Sequence, residues 1–130
     1  MKSPAMILAA TALAFATAAF AANTQEDNEA RLARMLEGRV AGEPVSCVTT
    51  FRTEKLQVIE KVALVYDAGD VVYVARPTDP RSLGFDDVVV INRFGGQLCH
   101  SDIIRTVSRQ GGYHTGVVFL EKFVPYRKAE

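Results

Sequence analysis

Residues 62–75 read Val-Ala-Leu-Val-Tyr-Asp-Ala-Gly-Asp-Val-Val-Tyr-Val-Ala, and this stretch decides the fold. Two runs of mainly β-branched and aromatic residues, at 62–66 and 71–75, flank the turn-forming residues 67–70. Short apolar runs around an Asp/Gly turn are typical of a β-hairpin. The sequence therefore predicts two antiparallel strands here.

Similar short runs continue on both sides of this hairpin. They lie at 45–49, 56–59, 88–91, 103–107 and 115–120, and turn residues separate them. The run at 88–91, Val-Val-Val-Ile, predicts a buried strand. Strands at such regular spacing favour an antiparallel β-sandwich or a small open barrel over βαβ units. The expected fold class is α+β, mainly β, with one N-terminal helix before about six to seven short strands.

The helix is predicted from Asn23 to Gly38. Residues 24–27 resemble a capping box, and their acidic members suit the start of a helix. Leu32, Met35 and Leu36 recur at helical spacing, so they form an apolar stripe that packs on the main body. Gly38 is the expected C-terminal stop.

The first 21 residues resemble a secretory signal peptide. Lys2 is the only charge before Glu26, an apolar or threonine run follows from residue 5, and Ala19-Phe20-Ala21 fits a small-residue cleavage site. We expect cleavage before Ala22, with a competing site after residue 18. An uncleaved anchor is the alternative, but the apolar run is at the short limit for a membrane span.

Removal of this segment leaves about 109 of the 130 residues, which suits one domain. The expected divisions are a signal peptide at 1–21, a helix and connector at 22–44, a β domain at 45–126 and a tail at 127–130. The remaining chain carries 14 basic and 15 acidic side chains. A near-neutral domain lacks the basic face expected of a nucleic-acid binder or a polybasic membrane-surface protein.

The chain has two cysteines, Cys47 and Cys99. An even cysteine count in a small exported protein predicts one disulfide. Such a bridge would close a loop of about 50 residues, worth ~4 kcal/mol by loop entropy. It would also remove the thiols from catalysis, and without a C-x-x-C pair a metal or redox role is disfavoured.

No recognisable catalytic motif occurs, and we expect neither enzymatic activity nor a cofactor. A metal site is a weaker alternative. His100 and Asp102 are two residues apart, which puts both on one face of an extended segment, and His114 could add a third ligand. Surface residues beside a disulfide are the simpler interpretation.

Four arginines offer a second weak alternative, a patch for an anionic ligand. Ordinary surface ion pairs explain them equally well. They are Arg76, Arg93, Arg105 and Arg109. The aromatic segment at 119–126 is interpreted as folded onto the core, with a docking strip as the alternative.

Several segments together resemble a group of small exported proteobacterial proteins of unknown function. They are residues 38–47, Val65-Tyr66, 72–77, 97–102 and the closing Phe123-Val124-Pro125-Tyr126. The layout of paired cysteines and short strands is also similar to the uncharacterised domain family DUF6491. The resemblance covers nearly all of the chain after residue 21. It implies an envelope location, and it carries no activity or catalytic residue over.

The expected function is a non-enzymatic binding or accessory role in the periplasm or after secretion. The partner would be an envelope protein or a small ligand, with no nucleic acid and no membrane span after signal cleavage. We expect a monomer or a weak oligomer. An inhibitor or partner-binding module is one alternative, by fold-level analogy with small exported β-barrel inhibitors of lysozyme. A small-molecule or metal binder is the other.

Overall fold

The computed structural model describes residues 16–49, 55–84, 87–92 and 95–130 of the chain. Within these ranges one helix precedes ten short strands, which confirms the α+β, mainly β class. The elements are α1 (Ala16–Met35), β1 (Arg39–Ala41), β2 (Cys47–Thr49), β3 (Leu56–Ile59), β4 (Ala63–Asp67), β5 (Val71–Ala75), β6 (Asp87–Ile91), β7 (Gln97–Cys99), β8 (Ile104–Ser108), β9 (His114–Val118) and β10 (Val124–Lys128), with a 3₁₀ turn at Pro80–Ser82.

The described strands form three antiparallel sheets in a sandwich-like arrangement. The largest has five strands in the order β1-β10-β5-β4-β3. A three-stranded sheet has the order β6-β8-β9, and β2 pairs with β7. The predicted hairpin is its central pair, β4 and β5, with Tyr66 opposite Tyr73. At its turn the Gly69 N–H donates to the Asp67 side chain at 2.8 Å, and Gly69 takes a φ of 93°.

The inner strands β4 and β5 of the five-stranded sheet are buried on both faces, which explains their continuous apolar runs. Leu64 and Ala75 face a core that the two smaller sheets complete with Leu98, Ile104 and Val118. The intervening residues of the same strands face a second core on the opposite side. That second core contains Leu32, Ile59, Val62, Ala63, Val65, Val72 and Val74.

The helix covers the second face of the five-stranded sheet. As predicted, Leu32 is buried, and Met35 and Leu36 pack partly buried against the same cluster. Polar contacts add to this packing, because the Glu29 carboxylate accepts two hydrogen bonds from the Arg76 guanidinium, at 2.9 and 3.2 Å. Those hydrogen bonds raise the pKa of Arg76 above its ordinary value.

The start of the helix differs from the prediction. It begins at Ala16, so residues 24–27 lie inside it and do not form a capping box. The alanine-rich sequence before Asn23 favours this extension, because alanine has the highest helix propensity. The end agrees better, since the helix stops at Met35 and a turn leads to Gly38 at a φ of 72°. Within the described residues, no helix is both long and apolar enough to cross a bilayer.

Three described strands lie outside the predicted runs. β1 falls in the expected connector, β7 in a segment without a strand pattern, and β10 extends to Lys128 within the expected tail. β10 lies between β1 and β5 although it contains Pro125. The Pro125 carbonyl accepts from the Gly42 N–H at 2.7 Å. The missing proline N–H therefore faces the place where β1 ends, away from β5.

The predicted disulfide is present between β2 and β7. Cys47 and Cys99 are direct partners in the ladder; their Cα atoms are 3.9 Å apart, and the two residues are 52 positions apart in sequence. The next pair, Ser46 and His100, is hydrogen bonded at 2.9 Å, so the cysteines occupy the closer, non-hydrogen-bonded type of pair. Val48 and Leu98 follow in the same ladder and enter the core. The bridge therefore anchors the two-stranded sheet to the core.

Replacing both cysteines, Cys47→Ala with Cys99→Ala, should lower the free energy of unfolding by about 2–5 kcal/mol, because the loop is no longer closed in the unfolded chain. Urea unfolding followed by circular dichroism measures the change. Wild-type protein in reductant is the control and should show a similar loss. A change below about 0.5 kcal/mol in both samples would contradict a stabilising bridge.

Candidate interaction surface

One face of the three-stranded sheet is exposed and largely apolar. Side chains alternate along β8 and β9, so Ile104, Thr106 and Val118 turn inward and are buried. Their neighbours turn outward, with Phe119 69 % exposed, Ile103 57 % and Val117 44 %. We call this surface the outer face; it comprises Val88, Val90, Ile103, Arg105, Val117 and Phe119.

Arg105 lies at the centre of the outer face. In the ladder it is level with Val90 of β6 on one side and Val117 of β9 on the other. Its side chain is exposed, and it makes no ion pair with any residue that the structure describes. Among the residues that the structure describes, the outer face therefore presents one positive charge without an ion pair, flanked by valines on the neighbouring strands.

Two grooves meet at Arg105. The larger, of about 360 Å³, is lined by Arg105, His114, Thr115, Gly116 and Val117, all of them exposed. The smaller, of about 240 Å³, extends from Arg105 past Ile103 to Asp102 and Asn92. Sites for small molecules are concave and bury most of their ligand. Grooves with such exposed walls are better suited to recognition of another surface.

The irregular pairing of β8 with β9 shapes the larger groove. The register shifts between Thr106 and Val107, so Thr115 has no direct ladder partner. The Thr115 hydroxyl donates to the buried Thr106 hydroxyl at 2.8 Å, which satisfies a polar group beneath the sheet. A Cβ added at Gly116 would lie 3.5 Å from the Thr106 hydroxyl oxygen, an ordinary van der Waals contact, so the space there does not require glycine.

The structure does not assemble the metal site considered from sequence. No group of three or more His, Cys, Asp or Glu side chains within the described residues is placed to hold a metal ion. Asp102 instead has a local role, because its carboxylate accepts from the Cys99 N–H at 2.8 Å. His100 lies half-buried in the turn after β7, and His114 is exposed at the start of β9.

The arginines considered as an anion patch are also dispersed. Arg76 pairs with Glu29 of the helix. This pair lies on the helix-covered side of the five-stranded sheet, and the core shared with the smaller sheets lies on the opposite side. Arg105 belongs to the outer face, and Arg109 is exposed in the turn after β8. Arg93 lies outside the described residues. The positions that are described do not form one patch.

Two predictions about burial are wrong in part, and both errors concern the outer face. The run at 88–91 was expected to be buried, but Val88 is 42 % and Val90 39 % exposed. The aromatic segment at 119–126 divides, since Phe123 is fully buried and Phe119 is exposed. An apolar run shows only that a strand suits a core, and nothing in the sequence marked which of its faces would be covered.

No family model matches the chain, and neither does a curated protein or a solved structure. The similarity to the small exported proteins and to DUF6491 therefore stays a prediction.

Asp102→Ala should lower the free energy of unfolding by about 1–3 kcal/mol, because the Cys99 N–H loses a charged acceptor. Asp102→Asn keeps an acceptor oxygen and should lose less than half as much. Ser101→Ala changes an exposed neighbour and serves as the control. Equal stability of all three variants in urea would show that the carboxylate does not hold this turn.

Proposed function

We propose that this chain is an exported, non-enzymatic protein of the cell envelope that binds a partner protein through its outer face. The observation that carries the proposal is an exposed apolar sheet face centred on an arginine that forms no ion pair with any described residue. Large contiguous apolar patches are rare on monomeric proteins and mark interaction sites. Here the exposed residues come from all three strands of one sheet, so they form one surface.

The composition of the outer face resembles the centre of a protein interface. Interface centres are enriched in aromatic residues and arginine and depleted of lysine, glutamate and aspartate. Phe119 and Arg105 supply the enriched types, and the face contains no acidic residue or lysine. Such residues also dominate measured binding energies.

Arg105 indicates the chemistry of the partner. A guanidinium buried without a counter-charge is strongly unfavourable, so we expect a complementary surface to place a carboxylate against it. The valines on either side would then exclude water from the pair. The proposed partner therefore has an apolar surface with one acidic side chain near its centre.

The signal peptide predicted at residues 1–21 supports the envelope part of the proposal. Cleavage before Ala22 would leave the helix with Glu29 and Leu32, the residues that attach it to the sheet. An oxidising compartment also suits the Cys47–Cys99 bridge. A small-molecule role has less support because the grooves are lined by exposed residues.

Export is tested by expressing the chain in a host with a periplasm. We expect the periplasmic fraction to contain a protein that begins at Ala22, with an intact mass two hydrogens below the all-thiol value. Leu13→Arg interrupts the apolar run and should keep the protein in the cytoplasm. Wild-type protein found uncleaved in the cytoplasm would contradict the export hypothesis.

Partner binding is tested with immobilised protein and an envelope extract. Arg105→Glu should weaken retention of a specific partner by about 30-fold, the effect of a hot-spot residue near 2 kcal/mol. Arg31→Glu makes the same charge change on the exposed side of the helix and should retain the partner. Phe119→Ser should also weaken binding.

The identified partner supplies the decisive comparison. Replacing the carboxylate that faces Arg105 by lysine should abolish binding to the wild type and restore binding to Arg105→Glu. Equal retention by wild type, Arg105→Glu and Phe119→Ser would overturn the proposal. Failure to recover any reproducible partner would also count against it.

A further inference from the structure

The edge strand β6 has features of a pairing surface. It is the outer strand of its sheet, with β8 on one side and no described strand on the other. Four of its five residues, 88–91, are β-branched and apolar, and it contains no proline or lysine. An open, flat, apolar edge readily pairs with another strand.

The other sheet edges carry features that discourage pairing. β1 has three residues, and the Arg39 guanidinium donates to the backbone carbonyls of Gly69, Asp70 and Tyr126. β9 has an irregular register and contacts the 3₁₀ turn. β3 contains Gln57 and is flanked by the charged residues Lys55 and Glu60. β2 and β7, the edges of the two-stranded sheet, have only three residues each. β6 is thus the least protected of the described edges.

The backbone groups that β6 directs outward follow from hydrogen bonds in β8. The Ser108 N–H and carbonyl bond to Tyr113 and Gly112, on the β9 side. The direction of the backbone N–H and carbonyl groups alternates along a strand, so those of Arg105 and Val107 point toward β6. Their ladder partners there are Val90 and Val88. The remaining β6 residues, Asp87, Val89 and Ile91, therefore direct their N–H and carbonyl groups to the open edge.

We infer that β6 pairs antiparallel with β6 of a second copy of this chain, about a two-fold axis at Val89. This register uses each outward-directed residue, with Val89 opposite Val89 of the second copy and Asp87 opposite Ile91 of the second copy. Each such pair exchanges two backbone hydrogen bonds. Between these pairs Val88 lies opposite Val90 of the second copy, so the side-chain pairs at the centre are apolar on both faces.

Charge favours this edge pairing over face-to-face packing of two copies. If the outer faces of two copies met, their Arg105 side chains would approach each other inside an apolar interface, which is unfavourable for two like charges. In the edge pair, the two Arg105 residues are three strand spacings of about 4.8 Å apart across the sheet and offset by two residues along it. Their Cα atoms are therefore roughly 16 Å apart. That distance exceeds the Debye length of about 10 Å at 0.1 M salt. The near-zero net charge of the chain also permits self-association.

The inference goes beyond the proposed function and does not require it. Pairing would join two three-stranded sheets into one of six strands, with both outer faces on the same side. A dimer would thus present two copies of the surface around Arg105, and a partner with two binding positions would gain avidity.

Sedimentation equilibrium of the purified protein between about 1 μM and 1 mM tests the inference, because so small an interface predicts a weak dimer. We expect the average mass to rise toward twice the monomer mass. Val89→Pro removes an outward N–H that the monomer does not use, so it should stay folded and monomeric. Val90→Pro removes an N–H that bonds to β8 and should lower the stability of the monomer. This variant checks which N–H groups of β6 point toward β8 and which point to the open edge.

A second variant guards against misfolding of the proline variant. Val88→Lys changes an exposed side chain and should weaken the dimer at least tenfold while leaving the circular dichroism spectrum unchanged. Val40→Lys makes the same change on an exposed valine of β1, 59 % exposed against 42 % for Val88, and as the control it should dimerise like the wild type. A monomer mass at every wild-type concentration would overturn the inference, as would unchanged dimerisation of folded Val89→Pro and Val88→Lys.

Discussion

Burial of β4 and β5 on both faces is the constraint on which the rest of the structure depends. Leu64 and Val65 are adjacent, yet they enter different cores on opposite sides of the five-stranded sheet. Such a sheet needs two covers, because either apolar face left open would lose the stabilisation of burial. The helix provides one cover through Leu32, and the smaller sheets provide the other. Each peripheral element is therefore required by the central hairpin.

The disulfide determines how one of those covers is attached. β2 and β7 have three residues each, too few for an independently stable two-stranded sheet. Cys47 and Cys99 hold them in register, which keeps Val48 and Leu98 in the core beside Phe123. An isolated antiparallel β-bridge between the backbones of Val45 and Phe123 continues this attachment toward β10. The covalent bond thus acts on packing as well as on the entropy of the unfolded chain.

Local patterns predicted the elements whose signals are local. The hairpin, the apolar stripe around Leu32 and the stop at Gly38 follow from adjacent or regularly spaced residues. The disulfide was predicted from the even cysteine count of the chain. β1 and β7 were missed because three-residue strands have too little pattern, and their pairing depends on distant partners. The helix start was misplaced because an alanine-rich segment suits both a signal peptide and a helix. The weak metal and anion alternatives had a related difficulty, since Asp102 and Arg76 have partners that only the fold reveals.

The outer face shows why burial is harder to predict than strand formation. The valines of β5 and those of β6 have the same pattern, but the helix covers the first set and no described element covers the second. In a monomer, Val88, Val90 and Val117 would gain no burial energy, because they face water. Polar residues that favour strands, such as threonine, would suit these exposed positions equally well. The exposure of these valines is consistent with selection for a surface that is covered in the assembled state. Arg105 then distinguishes the two kinds of cover, because an edge pair leaves its charge in solvent whereas a docked partner must neutralise it.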